Sequence, residues 1–156
     1  MNRQLLATVL LAALMPAVTS AEVQKSGGAL DERHFIAEIP AASAGGTVQV
    51  GVLLPRGAKI AKTEVQVAAT NLGDEKKGWS SCDVEAKTCE LAGTGIIRFH
   101  RGETEKAQEL AADMRNTAAE PRYVKLTVIF QQQSGFDHSG CEDTDECGFS
   151  RPVEKD

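Results

Sequence analysis

The chain concentrates reactive side chains near its C-terminal end. Asp137, Glu142, Asp143, Asp145 and Glu146 surround a close cysteine pair, Cys141 and Cys147. Carboxylates held on a disulfide-closed loop can do one of two things. They can present a negative rim to a cationic protein surface, steering association and fixing register, or they can supply oxygen ligands to a hard cation. Asp143, Asp145, Gly148 and Glu154 fall at positions 1, 3, 6 and 12 of the calcium-loop pattern. Cys147 stands at position 5, where an oxygen is required, Pro152 stands at position 10, and no flanking helices are legible. The segment therefore reads first as a binding loop for a cationic protein partner. A structural or accessory envelope protein whose acidic tail is only solubilising is the second reading, and a calcium-dependent module is the third.

Two more cysteines, Cys82 and Cys89, are separated by six residues. Thiolate zinc sites use closer spacing, and an even cysteine count in an exported chain implies disulfides. Three connectivities are open; the local one, Cys82 with Cys89 and Cys141 with Cys147, closes the shortest loops.

Catalytic constellations are sparse. The histidines, His34, His100 and His138, are far apart, and neither a Gly-x-Ser-x-Gly elbow nor His-Glu-x-x-His occurs. No glycine-rich stretch ends in the Gly-Lys-Ser/Thr of a phosphate loop. Paired cysteines leave no thiol nucleophile. Neither enzymatic activity nor a cofactor is expected.

Met1-Asn2-Arg3 is a short basic region, Leu5 to Val18 is mostly apolar, and Thr19-Ser20-Ala21 offers the small residues a signal peptidase reads. Residues 1–21 are thus expected to be a signal peptide, leaving 135 of the 156 residues as a periplasmic or secreted protein with no membrane span. Within that mature chain, residues 22–134 carry 15 acidic and 14 basic side chains, whereas 135–156 carry seven and two. The body is near neutral and the tail is strongly negative. Nucleic acid is a poor partner for such a chain, because phosphate binding needs a basic face. The tail suits a cationic partner, as an inhibitor or immunity-type protein would meet. An aromatic content of 4% excludes an outer-membrane barrel with aromatic girdles.

The elements that must carry these residues are mostly strands. Residues 22–33 are polar and contain Gly27-Gly28, a flexible lead-in. A β-rich domain over 34–134 follows, then the acidic tail over 135–156. His34–Ile39 is a first strand ended by Pro40. Val48, Val50, Val52 and Leu54 alternate on one face of a second strand, and Val65 and Val67 on one face of a third. Trp79 precedes the Cys82–Cys89 hairpin. Ile97 and Phe99 are expected to face the core, with Arg98 and His100 outside. Val124, Leu126, Val128 and Phe130 give the clearest alternation. Between these last two runs, Ala107, Leu110, Ala111 and Met114 recur at helical spacing, which predicts one amphipathic helix over 103–115, stopped by Asn116 and Pro121. The expected fold is mostly β, a β-sandwich or curved antiparallel sheet with that helix, stabilised by disulfides.

Overall fold

The computed structural model describes residues 30–103, 107–131 and 147–154. These form nine strands: β1 (Leu30–Ile39), β2 (Thr47–Pro55), β3 (Lys59–Ala68), β4 (Ser80–Asp83), β5 (Thr88–Cys89), β6 (Thr94–Glu103), β7 (Ala107–Asn116), β8 (Arg122–Gln131) and β9 (Gly148–Arg151). One antiparallel sheet runs in the order β1-β8-β3-β4-β5-β6-β7-β2-β9. It bends until its ends approach each other, giving a nearly closed barrel. A 3-10 turn, Ala42–Ala44, lies between β1 and β2.

Alternation explains the core. Val50, Val52 and Leu54 of β2, Val65 and Val67 of β3, Leu110, Ala112 and Met114 of β7, and Val124, Leu126, Val128 and Phe130 of β8 project inward and are buried. At roughly 25 cal/mol per Å² of apolar surface removed from water, these side chains are the main stabilising term. β1 begins at Leu30, ahead of the apolar run that starts at His34, because residues 30–33 continue the ladder on β8.

The seam between β1 and the β2–β9 edge is closed by side chains. Arg33 of β1 projects inward, donates from Nη1 to the Leu53 carbonyl of β2 at 2.7 Å, and lies over the Phe130 ring. Leu53 lies just beyond the four β2 residues that β9 pairs. Phe35 of β1 lies directly against Gly148 of β9, where any Cβ would overlap its ring. Asn116, at the end of β7, ties the opposite end of the barrel together. It donates to the carbonyls of Pro40 and Glu120 and accepts from the Ala118 N–H.

Two expectations are corrected here. Residues 103–115 do not form a helix: β6 runs to Glu103, and Ala107–Asn116 is strand β7. Leu110, Ala112 and Met114 face the core, and the intervening Ala111 and Asp113 are also buried, on the outer face. The apolar Ala111 on the outer face breaks the polar–apolar alternation, and Ala107, Leu110, Ala111 and Met114 then match helical spacing. Pairing on β2 and β6 along the whole strand overrides the helical propensity of Ala, Glu, Gln and Met. In β6, a bulge between Ile96 and Arg98 shifts the register. Ile96 therefore joins the core in place of Ile97, while Phe99 still packs against it and Arg98 and His100 remain on the outer face.

Candidate functional site

The expected binding residues Asp137, Glu142, Asp143, Asp145 and Glu146, together with Cys141, lie outside the described residues. Both flanks of that stretch are placed. Gln131 ends β8, opposite Leu30 on one side and Lys59 on the other. Cys147 is buried and disulfide-bonded, and leads straight into β9.

β9 is fastened to β2 by a side-chain clamp on the outer face. Gly51 of β2 lies under the Phe149 ring, so closely that a Cβ there would overlap it. The Arg151 guanidinium stacks over Phe149 at 4.5 Å, donates from Nε to Gln49 Oε1, and pairs through Nη2 with Glu109 at 2.6 Å. Gln49 in turn donates from Nε2 to Asp113 Oδ1 at 2.7 Å. Asp113 Oδ2 accepts from His100 Nε2 at 2.8 Å and lies 3.5 Å from Arg98 Nε. The row Arg98–Asp113–Gln49–Arg151 thus crosses β6, β7, β2 and β9 in register. The Asp113 side chain, 2% exposed, is the buried anion on which the row converges. A carboxylate taken out of water needs this set of donors, since an unpaired buried charge is costly. The arrangement orients His100 and holds the exit of the acidic segment.

Sequence reasoning placed Arg98 and His100 on the outer face but missed their partners. Asp113 falls within the helix expected over 103–115. Gln49 and Arg151 carry no local signal, because their roles depend on strand neighbours distant in the chain. One signal could have been read: Gly51, inside an otherwise β-branched strand, marks a close approach.

The contact between β1 and β9 gives a direct prediction. Gly148→Ala places a methyl group against the Phe35 ring and Cβ, which cannot both move without opening the β1–β9 seam. The expected loss is about 1–3 kcal/mol, typical of overpacking, with β9 amides losing protection in hydrogen exchange. Unchanged protection would mean that the two strands do not approach as described.

A second polar surface lies on the far side of the barrel. The loop over residues 69–79 folds back over the outer face of β1, β8 and β3. The Trp79 indole N–H donates to the Gly73 carbonyl at 3.3 Å, and the Lys125 ammonium lies 5.5 Å from the Trp79 ring centre. His34 Nε2 reaches Asp74 of the same loop at 3.3 Å.

Cys82 and Cys89 form the expected disulfide and sit directly opposite each other on β4 and β5. Among the described residues, no group of three or more His, Cys, Asp or Glu is placed to hold a metal ion, and no helix is long and apolar enough to cross a membrane. No protein-family model, curated protein or solved structure matches this chain.

Proposed function

We propose that this is an exported binding protein that recognises a cationic protein partner, in the manner of an inhibitor, through its acid-rich segment. What supports the reading is the way that segment is mounted. Five carboxylates fall between positions 137 and 146. The chain enters the stretch from β8, in the middle of three paired strands. It leaves through a buried, disulfide-bonded cysteine into the Phe149–Arg151 clamp. A merely solubilising tail needs no such fixed exit.

The test is a triple variant, Asp143→Asn, Asp145→Asn and Glu146→Gln, used to capture partners from a periplasmic extract over a range of salt concentrations. Its melting temperature is expected to match the parent's. Capture should weaken, chiefly through slower association, and its salt dependence should flatten, because screening acts on the steering charges. Equal capture at unchanged stability would leave a solvated tail and end the recognition proposal. A melting temperature that rises with calcium in the parent but not in the variant would favour a calcium-dependent module instead.

A further inference from the structure

We propose that the free edge of β3 binds an extended peptide segment of a partner protein by strand addition, the segment being basic toward its N-terminal end and acidic toward its C-terminal end. This surface is separate from the acidic segment and does not depend on it.

The sheet order places the short β4–β5 hairpin between β3 and β6. β4 pairs with β3 only from Val65 to Val67, and β5 pairs with β6 only through Thr88 and Gly95. β3 nevertheless begins at Lys59, and β8 occupies its other edge from there to Ala68. Over residues 59–64 the hairpin-side edge therefore has no strand partner among the described residues. Where the hairpin stands, β3 and β6 are three strand spacings apart, roughly 14 Å. Past the hairpin turn, no described strand fills that interval. A cleft of about 370 Å³ opens here, lined by Lys62–Gln66 of β3 and Ser81–Glu85 of the hairpin. β6 also leaves an edge unpaired across the gap, but it contributes nothing to the cleft.

A backbone edge selects its own class of ligand. Donors and acceptors that alternate along a strand are matched by another extended chain, which is how strand addition gains affinity. Polarity is fixed as well. A chain lying in line with β4 runs antiparallel to β3. Its N-terminal end then abuts the turn at Val84, and its C-terminal end lies beside Lys59.

Side chains of β3 choose the sequence. Ile60 is opposite Phe130 and Thr63 opposite Val128, so both lie on the core side of the sheet. Ile60 and Val84 are half-buried and pack against the core. An added strand therefore places apolar residues on this side at every second position. Lys59, Lys62 and Glu64 lie on the outer side, opposite Gln131, Ile129 and Thr127. The outward positions of the added strand meet Glu64, Asp83 and Glu85 near the turn, and Lys62 and then Lys59 farther along. A basic N-terminal end and an acidic C-terminal end complement that order. The bulge between Ile60 and Lys62, with the two lysines, also keeps flat or basic strands off the same edge.

The probe is the end-capped hexapeptide Lys-Val-Glu-Val-Glu-Val, with the charge-reversed Glu-Val-Lys-Val-Lys-Val as its control. Calorimetry is expected to show saturable one-to-one binding of the first, at least tenfold tighter than of the second. Hydrogen exchange should slow at amides within residues 59–64 when the first peptide binds, and not at the β1 or β9 edges. The double variant Lys59→Glu, Lys62→Glu changes exposed side chains only, so its melting temperature should move little while its preference between the two peptides reverses. No saturable binding of either peptide would overturn the proposal. Equal affinity for both, an unreversed preference in the folded variant, or protection at a different edge would do the same. Self-association of the free protein through these amides would assign the edge to a second copy and overturn it as well.

Discussion

Phe130→Ala is expected to cost about 3–5 kcal/mol of unfolding free energy, the usual price of removing a buried aromatic ring from a close-packed core. Phe130 is fully buried on β8, opposite Asp31 of β1 and Ile60 of β3. The Arg33 guanidinium lies 5.3 Å from the ring centre and also donates to Leu53 across the seam. Deleting the ring therefore leaves a void and removes the surface on which the seam-closing arginine rests. A single domain is stable by about 5–15 kcal/mol, so the variant loses a large share of its stability. Urea unfolding should show a lower midpoint with an unchanged slope, since the folded surface stays the same. Ile129→Ala, on the half-buried outer face of the same strand, is expected to cost much less. Equal costs would mean that the inward and outward faces of β8 are not distinguished in the way described.

Replacing Cys82 and Cys89 together with serine should be the next most damaging change. The two cysteines face each other across β4 and β5, and that short hairpin is what joins β3 to β6 in the sheet order. β5 itself is only two residues long, with a single residue pair linking it to β6. Closing a loop of this length contributes about 2.5 kcal/mol in the chain-entropy model. Loss of the packing that both half-buried cysteines make against the core adds to that. Thermal unfolding of the double variant against the parent measures the cost. Hydrogen exchange should show β4 and β5 opening first, as expected for the least-paired part of a sheet. A cost below about 0.5 kcal/mol, within the range of neutral surface changes, would show that backbone pairing alone holds the hairpin.

Much of the barrel was legible because most strands are buried on one face only. Val48 to Leu54 and Val124 to Phe130 alternate cleanly, and the inward residues are those the alternation names. The Cys82–Cys89 pairing was legible from spacing, since a short loop closes most readily. β7 was not legible. Ala111 is an apolar residue on the outer face, between Glu109 and Asp113, so the alternation with Leu110, Ala112 and Met114 is broken and the alanines fall at helical spacing. The bulge at Ile97 was equally hidden, because one extra residue in a ladder leaves no mark on composition. The acidic segment stands out in the sequence, whereas the clamp that anchors its exit is assembled from β2, β7 and β9, up to about a hundred residues apart in the chain.

By itself, then, the sequence determined a mostly β fold from the alternation of Val, Leu and Phe, together with the local Cys82–Cys89 disulfide and a charge asymmetry confined to the tail. Those properties are local: side chains two residues apart share a face, and cysteines a few residues apart can meet. The tertiary structure alone decided that β7 is a strand, that Asp113 is a buried anion shared by Gln49, His100 and Arg98, and that Arg151 of β9 is held by Gln49 and Glu109. Each depends on which strands lie side by side, and those strands come from segments brought together only when the sheet closes.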